Sequence, residues 1–422
     1  MGAMKTEDSR KLISLINNKN FFGLKSFNMG TALGVPIYIE KEKVTWFRSF
    51  FSLLKGSIMT NFKIEISGTG KLLFLFSPNH IGREFQLRDF MYIAQIMSEN
   101  QIFLAHYRKN IDIKGILISL FFPVWFLQMS HLQLSFKQKL YLTGQLGMCK
   151  KWVSFLLRKI NVENSALMTT FCDLHMYDNI TAQYCRLNGI PTATLQHGIY
   201  LPSTNSNFSL AYELMVSDTF LAWGEYSKNC AIQSNIDPSN IYVAGITNKV
   251  KKIANTPKVS IFGVILSGNL ENEQINATLI MIANEIAQKL NYQYIIKLHP
   301  NGSYPCTHLY HKDYLKSVYD KTVSMQHLAN NVCFSICVGD TTALYELIHM
   351  GAMAFKHEYF HESYIPNCGE FCFKTADELF ELINWSNECR EEYEKRVNGL
   401  DRYIFANNSE QSYRLFFEKY LE

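Results

Sequence analysis

Short apolar segments of strand length alternate with helical patterns along both halves of the chain, and this alternation limits the possible folds more than any other feature. The segments with strand character are 71–76, 101–107, 166–171, 191–195, 219–223 and 241–245, followed by 260–267, 292–299, 334–339 and 352–356. Helical patterns lie at 88–98, 138–159, 177–188, 271–290, 341–350, 376–384 and 386–397. Buried strands separated by helices indicate parallel sheets covered on both faces. The sequence therefore predicts an α/β protein with two Rossmann-like, doubly wound domains that face each other across a cleft.

A polar, basic segment that contains a proline separates the two halves. This segment, TNKVKKIANTPK at residues 247–258, is typical of a linker. A chain of 422 residues is long enough for two domains, which we place at 1–246 and 259–405. The last part, 406–422, contains an amphipathic stretch, and we expect it to form a helix that packs back on the N-terminal domain.

The composition excludes some partners and favours one compartment. The net charge is only +4, from 41 basic and 37 acidic residues, which is too weak to indicate a nucleic-acid partner. The ten cysteines are scattered, and no signal-peptide pattern precedes them. Reduced thiols in the cytoplasm are therefore expected rather than disulfides.

Two apolar segments bear on contact with membranes. GILISLFFPVWFLQM at 115–129 is interrupted by Pro123 and falls short of the ~20 residues that a spanning helix needs. KVTWFRSFFSLL at 43–54 mixes aromatic and basic residues, as interfacial helices on anionic lipid do. A core helix with snorkelling lysines is the alternative. We predict at most peripheral contact, at the inner face of the plasma membrane.

Polar residues at the carboxyl ends of the predicted strands are the candidate functional residues, because ligands of such sheets bind there. In the second half, the strand at 292–299 ends in Lys297 and His299 before Pro300, and both side chains are able to contact phosphate. A capping histidine in a tight turn is the alternative.

A second predicted strand of the C-terminal half runs directly into a helix. Asp340, Thr341 and Thr342 supply N-cap oxygens there, and the free N–H groups of the helix form an anion site. Glu346 lies about one turn further, where its carboxylate can accept hydrogen bonds from ribose hydroxyls. Gly268 follows the first strand of this half and would line the same cleft. A well-capped helix without a ligand is the alternative.

In the first half, LQHGIY places His197 at the end of the strand 191–195, and Asp173 ends another predicted strand. A histidine that a carboxylate orients is suited to deprotonating a hydroxyl nucleophile. Either His197 or Asp173 could be this base. His197 could instead simply bond a backbone carbonyl. His80 and Arg83, in the loop after the strand 71–76, are candidates for contact with the acceptor, and a plain loop is equally compatible.

Two further motifs resemble metal sites, and we do not assign them that role. His357–His361 satisfies the pattern H-E-x-x-H, but it follows a predicted strand, whereas zinc proteases present both histidines on one helix. Cys333 and Cys337 have a three-residue spacing inside a buried strand, which favours structural thiols. No Asp-x-Asp pair occurs in the sequence. We therefore predict metal-independent chemistry and no cofactor.

Several motifs occur in an order that resembles GT-B glycosyltransferases. They are QHG, AWGEYSK at 222–228, NIYVAGITN at 240–248, KLHP, and GDTTALYELIHMGAMAF. Over roughly residues 165–355, the chain looks like the bacterial surface-polysaccharide branch, which includes CDP-glycerol glycerophosphotransferases, polysialyltransferases and capsule Kdo transferases. The acidic-acidic-glycine motif of the polysialyltransferases is absent, as is the longer teichoic-acid signature around His-Gly.

The resemblance implies an N-terminal acceptor domain and a C-terminal donor domain. His197 matches the residue implicated in acceptor activation. The residues that match those in contact with the donor's cytidine phosphate are His299, Pro300, Thr341 and Thr342. Glu346 matches a glutamate that holds the ribose. The expected function is transfer of a sugar from a nucleotide sugar, with a CMP-sugar favoured, to a capsule, lipooligosaccharide or other lipid-linked or surface glycan. A polyol-phosphate transferase is the alternative, and a sugar-nucleotide epimerase is a more distant one.

Overall fold

The structure is a computed structural model, and it divides into two compact units. It describes residues 2–37, 44–80, 84–108, 115–200, 210–247, 250–253, 259–268, 273–299, 305–320, 322–339, 341–358, 365 and 368–422. The first unit comprises Met1–Trp223, Ser227–Asn248 and Asn408–Glu422, and the second comprises Gly224–Tyr226 and Lys249–Asn407. Each unit contains its own mainly parallel sheet.

The sheet of the first unit has seven strands in its described part, in the order β1-β3-β2-β4-β5-β6-β7. They are β1 (Asn61–Gly68), β2 (Leu72–Phe76), β3 (Asn100–Arg108), β4 (Leu167–Thr170), β5 (Thr192–Leu195), β6 (Thr219–Ala222) and β7 (Ile241–Val243). β1 pairs antiparallel with β3, from Asn61 opposite Arg108 to Gly68 opposite Gln101. The pairs from β3 across to β7 are parallel, so the carboxyl ends of these strands lie at one edge.

The helices before residue 250 connect these strands. They are α1 (Gly2–Asn17), α2 (Met29–Ala32), α3 (Trp46–Leu54), α4 (Glu84–Ala94), α5 (Ile116–Ser119), α6 (Phe122–Gln128), α7 (Phe136–Lys159), α8 (Met176–Leu187), α9 (Leu210–Glu213) and α10 (Glu225–Gln233). The long helix α7 begins with a reciprocal cap, because Ser135 Oγ accepts from the Gln138 N–H and Gln138 Oε1 accepts from the Ser135 N–H.

Alternation along the central strand β2 gives the first unit a core on each face of its sheet. Leu73 and Leu75 pack into a core that contains buried residues of α7 and α8. Leu72, Phe74 and Phe76 pack into the opposite core with residues of α4. All five side chains are buried, as expected for a parallel strand covered on both faces.

The second unit contains a six-stranded sheet in the order β10-β9-β8-β11-β12-β13 within the described residues, and each pair is parallel. Its strands are β8 (Ile261–Ile265), β9 (Gln293–Lys297), β10 (Leu315–Tyr319), β11 (Ser335–Val338), β12 (Ala354–His357) and β13 (Cys372–Phe373). Its helices are α11 (Glu273–Leu290), α12 (Met325–Asn331), α13 (Thr342–Met350), α14 (Ala376–Glu388) and α15 (Arg390–Ile404).

The final helix, α16 (Ser409–Glu418), belongs to the first unit. Tyr413 and Phe417 are buried in the core that contains β2, and the Tyr413 hydroxyl donates to the Gly245 carbonyl at 3.1 Å. Gly245 has a φ of +94°, and a Cβ at this position would lie 2.1 Å from Ser409 Oγ. The absence of a side chain at residue 245 therefore lets the start of α16 lie against the loop after β7.

The predicted fold class is confirmed, and the predicted strands that the structure describes are present. Three strands were not predicted: β1, β10 and β13. The predicted helix at 88–98 lies four residues earlier, at Glu84–Ala94, and the apolar segment 115–129 forms two short helices with Pro123 in the first turn of the second. Among the helices of the described residues, none combines the length and the apolar character needed to cross a membrane.

Candidate functional site

Three neighbouring strands bring polar residues together at the carboxyl edge of the first sheet. β2, β4 and β5 lie side by side and run parallel, so the segments that follow them start from the same edge. These segments carry Ser77 and His80 after β2, Cys172, Asp173, His175 and Asp178 after β4, and Gln196 and His197 after β5. The topology thus brings together residues that are far apart in sequence, since Ser77 and His197 are separated by 120 positions.

A fully buried pair, His80 and Asp178, lies deepest at this edge. His80 Nε2 is 3.1 Å from Asp178 Oδ2, and the Ser77 hydroxyl donates to the same oxygen. Burial raises the pKa of Asp178 to about 7, and the hydrogen bond from Ser77 and the charge of His175 oppose this shift. His80 was expected to contact an acceptor directly. Its side chain is instead completely inaccessible to solvent, so its place is beneath the surface of the site.

Three histidines, His80, His175 and His197, lie next to one another at this edge, and we call them the histidine cluster. The ring centroids of His80 and His175 are 4.9 Å apart, and those of His175 and His197 are 6.3 Å apart. His197 Nδ1 is 2.6 Å from the Tyr200 hydroxyl. Burial raises the pKa of Tyr200 well above its usual value, so this phenol keeps its proton at neutral pH. Tyr200 therefore fixes one edge of the His197 ring.

Gln196 anchors the strand end from which His197 projects. Its amide nitrogen donates to the Gly198 carbonyl and to Ser227 Oγ, both at 2.8 Å, and its amide oxygen accepts from the Trp223 N–H at 2.7 Å. Gln196 is completely buried, and each of these contacts would be lost with an apolar side chain. The glutamine of QHG is therefore structural, whereas the partly exposed histidine after it is available for chemistry.

Asp173 was expected either to act as the base or to orient His197, and its environment differs from both expectations. Its Oδ2 accepts from the backbone N–H groups of Val216 and Ser217, at 3.0 and 2.8 Å. Burial raises the pKa of Asp173 to about 6, against the opposing effect of these hydrogen bonds. The carboxylate thus fastens the loop before β6 to the end of β4, which is a positioning role.

Cys172, His175 and His197 offer the atoms of a potential metal site, because their ligand atoms all lie within 4.8 Å of one another. A soft ion such as Zn²⁺ accepts sulfur and imidazole nitrogen, but it binds the thiolate rather than the thiol. Burial raises the pKa of the Cys172 thiol well above its usual range. The three residues therefore form a metal site only if binding displaces the thiol proton.

In the second unit, β9, β8 and β11 are neighbours, and they also end at a common edge. Gly268 follows β8 and His299 follows β9. A Cβ built on Gly268 would lie 2.5 Å from His299 Nδ1, so only glycine permits this close approach of imidazole to backbone. Asn276 holds the residue before the glycine, because its side chain bonds both the N–H and the C=O of Ser267.

The turn from β11 into α13 lies at the same edge. Gly339 has a φ of +65°, which favours glycine, and Thr341 is the N-cap, with its Oγ1 accepting from the Ala343 N–H at 3.4 Å. Thr342 and Glu346 are four residues apart and therefore share one face of α13. The first turn of the helix directs its N–H groups to this edge, where they can bind an anion.

Lys297 does not extend from this edge. Its side chain is buried, and its ammonium donates to the carbonyls of Leu298 and Asp320, at 2.9 and 2.7 Å. Burial lowers the pKa of this lysine. Lys297 was expected to contact phosphate, and in this structure it instead ties the end of β9 to the end of β10.

Other predicted residues are placed differently or lie outside the described residues. Arg83, Pro300 and Asp340 lie outside them. His357 ends β12, with Nε2 3.2 Å from the Lys374 carbonyl, so the H-E-x-x-H pattern does not begin on a helix. The sequence interpretation did not single out Ser77, Asp178 or Tyr200. An acidic residue in the first turn of the helix that follows a predicted strand was the available signal for Asp178.

No family model matches this sequence, and a search of curated proteins finds no match. Solved structures do match. A candidate UDP-N-acetylglucosamine 2-epimerase from Listeria monocytogenes has a TM-score of 0.53 at 9% identity, over 83% of this chain and 96% of that chain. The UDP-GlcNAc 2-epimerase from Neisseria meningitidis, bound to UDP-GlcNAc, has a TM-score of 0.50 at 14% identity, over 83% and 99%. The glycotransferase of kitacinnamycin has a TM-score of 0.49 at 8% identity, over 82% and 98%.

Identities this low establish the fold and nothing finer. The two mainly parallel sheets and the matches together define the class: a Rossmann-like α/β protein with the fold of GT-B enzymes.

Proposed function

We propose that this protein is a glycosyltransferase that moves a sugar from a nucleotide-activated donor to a surface-glycan acceptor. The observation that carries the proposal is the contrast between the two sheet edges. The first presents the histidine cluster, which is suited to proton transfer, and the second presents a close glycine–histidine pair beside a helix N-terminus, which is suited to phosphate.

The donor binds at the edge of the second sheet in this proposal. Phosphate oxygens lie against the first turn of α13, near Thr341 and Thr342, and His299 donates a further hydrogen bond beside Gly268. Glu346 accepts from the ribose hydroxyls. Pro300 and Asp340 flank these residues in sequence and complete the set. Helix N–H groups and imidazole stabilise the charge that develops on the leaving nucleotide, which is why transfer needs no metal ion.

His197 is the base in this mechanism, because the Asp173 carboxylate is occupied by two backbone N–H groups. The mechanism requires the tautomer in which the Nδ1–H of His197 donates to the Tyr200 oxygen, because Nε2 then carries no proton and can accept that of the acceptor hydroxyl. The acceptor oxygen then bonds to the anomeric carbon as the bond from that carbon to the phosphate oxygen breaks. The electron pair of the broken bond leaves with the nucleotide.

The buried residues behind His197 position the cluster. His175 lies between His80 and His197, and His80 is held by Asp178. These contacts limit rotation of the rings, and a fixed ring keeps its nitrogen within reach of the acceptor proton. Arg83, which follows His80 closely in sequence, is proposed to contact the acceptor.

The resemblance to surface-polysaccharide enzymes favours a CMP-sugar donor and a capsule, lipooligosaccharide or other lipid-linked acceptor at the inner face of the plasma membrane. A polyol-phosphate transferase that uses CDP-glycerol or CDP-ribitol is the alternative with the same donor nucleoside. A sugar-nucleotide epimerase is the second candidate, because the two matches with a TM-score of at least 0.50 described above are to 2-epimerases. Such an enzyme would isomerise its nucleotide sugar without any acceptor.

A thermal-shift panel tests the donor half of the proposal. The purified protein is heated with CMP, CDP, UDP, GDP and their sugar conjugates, since a ligand of the folded state raises the melting temperature. We expect selective stabilisation by a cytidine nucleotide that His299→Ala abolishes. Preference for uridine or guanosine would keep the mechanism and change the donor. No response to any nucleotide would contradict the proposal.

A further inference from the structure

Helix α3 packs against the protein with its polar side and exposes its aromatic side. Ser49 and Ser52 are buried, at 0% and 3% exposure. Trp46, Phe47 and Phe50 are exposed by 63%, 75% and 62%. An amphipathic helix on a water-soluble domain normally has the opposite orientation, with its apolar side inward. The exposed aromatic side is what a surface that covers these residues would contact.

Specific contacts to helix α7 fix this orientation. Ser49 Oγ donates to the Lys137 carbonyl at 2.7 Å, and Ser52 Oγ donates to the Tyr141 carbonyl at 2.8 Å. A Cβ on Gly144 would lie 2.3 Å from the backbone of Ser52, so the two helices approach more closely than larger residues allow. Rotating α3 to bury its aromatic side would break these hydrogen bonds and force bulky rings into a contact made for serine and glycine.

Neighbouring elements extend the apolar surface. The ring of Phe136, at the start of α7, lies 5.9 Å from that of Trp46 and 5.1 Å from that of Phe126 in α6. Helix α5, just before α6 in the chain, contacts both α7 and the turn after α3. We call the exposed side chains of these elements the aromatic face: Trp46, Phe47, Phe50, Leu117, Leu120, Leu127 and Phe136.

The charged residues in the segments that carry the aromatic face have one sign. The sequence contains no aspartate or glutamate from residue 44 to 64 or from 115 to 162, although the chain has 37 acidic residues. Arg48 lies among the aromatic residues of α3, and Lys55 follows them. The Lys55 ammonium lies 4.9 Å from the centre of the Phe51 ring. Lys137 and Lys139 begin α7 beside Phe136. Exposed aromatic and aliphatic side chains among unopposed cations match the chemistry of an anionic lipid surface.

We propose that the aromatic face docks on an anionic lipid bilayer, with α3 lying in the interface plane. Trp46, Phe47 and Phe50 enter the boundary between headgroups and acyl chains, which interfacial helices penetrate by ~5–10 Å. Arg48, Lys55 and Lys137 contact the lipid phosphates. This inference concerns binding to membranes alone and does not depend on the proposed transfer reaction.

Co-sedimentation with vesicles tests it. The full-length protein is mixed with phosphatidylcholine vesicles that contain either no anionic lipid or about 30% phosphatidylglycerol. We expect binding to the anionic vesicles that weakens with salt, and a loss of about tenfold or more in Phe47→Ser/Phe50→Ser. The matched control is Leu187→Ser/Leu415→Ser, which removes leucines that are 56% and 49% exposed on other helices of the first unit. This control should bind like the parent protein.

Two results would overturn the proposal. One is a parent protein that binds neither kind of vesicle at low salt. The other is a parent protein that is dimeric by light scattering and becomes monomeric in Phe47→Ser/Phe50→Ser, because the aromatic face would then be an interface between copies of the chain. The substituted residues are exposed, so unchanged melting temperatures of both variants verify that folding is not the cause.

Discussion

The carboxyl edges of the two sheets arise from the same parallel architecture, but they present different chemical groups. At the first edge, Asp173, Asp178 and His80 are buried beside two partly exposed histidines, and burial raises the pKa of both carboxyl groups. At the second edge, small residues and backbone groups dominate: Gly268, Gly339 and the threonine cap of α13. Proton transfer needs titratable groups in a shielded place, whereas phosphate binding needs backbone N–H groups that a ligand can approach.

In the proposed function, this difference gives the two units separate roles. Substitutions at the first edge should change the rate of the reaction more than the binding of nucleotide. Substitutions at the second edge should do the reverse. Each of the following predictions tests that separation.

The largest effect is expected from His197→Asn. Removing a general base lowers the turnover number by about 10²–10⁴-fold. The melting-temperature shift that the donor nucleotide produces should stay the same, because the proposal places the donor at the edge of the other sheet. A rate within a few-fold of the parent would remove His197 from the mechanism.

The next largest effect is expected on the pH dependence of stability when Asp178 is replaced. Burial raises the pKa of Asp178 to about 7 in the folded protein, whereas a free aspartate titrates near ~4. The folded state holds this proton where the unfolded state has released it. The free energy of unfolding therefore falls as the pH rises from about 4 to about 7, by up to ~4 kcal/mol from this group, at ~1.4 kcal/mol for each pH unit. Asp178→Asn should flatten that part of the stability curve, measured by denaturant unfolding.

Asp89 provides the matched control, because burial also raises its pKa to about 7, and its ion pair is with Arg88 of the same helix rather than with a histidine of the cluster. Asp89→Asn should flatten the stability curve in the same pH range and leave the pH–rate profile unchanged. Asp178→Asn should alter both. An identical pH–rate profile for the two variants would show that Asp178 has no positioning role.

Gly268→Ala should weaken donor binding by roughly tenfold, because the new methyl group forces His299 out of its position. Isothermal titration with the stabilising nucleotide measures this change. Gly399→Ala is the control: a Cβ there meets nothing within 4 Å, and alanine is the better residue inside α15. Equal binding by both variants would place the donor elsewhere.

Two threonine caps allow a finer test. Thr341 caps α13 and Thr375 caps α14, so alanine at either position should cost about 1 kcal/mol of stability. Thr341→Ala should also weaken nucleotide binding, whereas Thr375→Ala should not. If both variants bind equally well, the N-terminus of α13 is only a structural cap.

The smallest expected effect follows from chelation. Treatment with EDTA should change the transfer rate by less than about twofold, because in the proposed mechanism helix N–H groups and imidazole stabilise the leaving group. Loss of activity that zinc restores would instead assign an ion to Cys172, His175 and His197, whose ligand atoms lie within 4.8 Å of one another.

The strands at the centre of each sheet were predictable from sequence, because strands buried on both faces are almost entirely apolar, as β2 is. Of the four edge strands in the described sheets, β7 was predicted, whereas β1, β10 and β13 were not. β1 is largely exposed and reads NFKIEISG, and β10 reads LKSVY with every residue partly or fully exposed, so neither has the apolar run of a buried strand. Their polarity reflects the solvent beside them and resembles that of a loop.

The positions of His197 and Thr341 at the carboxyl edges of the sheets were predictable, because each residue follows a strand that the sequence reveals. The partnership of His80 with Asp178 was not, since the two residues are 98 positions apart and meet only because β2 lies beside β4. The burial of Ser49 and Ser52 was also not predictable from the sequence of α3. An amphipathic sequence predicts a polar and an apolar side of the helix, but it does not predict which side the protein covers. Tertiary packing decides both.

Product analysis tests the central claim most directly. The protein is incubated with the nucleotide sugar that stabilises it, with and without a lipid-linked glycan extract, and mass spectrometry follows free nucleotide, donor and glycan. We expect that the nucleotide is released and the glycan gains one or more sugars only when the acceptor is present. We also expect that His197→Asn binds the donor but neither releases the nucleotide nor extends the glycan. Conversion of the donor into an isomer without acceptor would contradict the account and identify an epimerase.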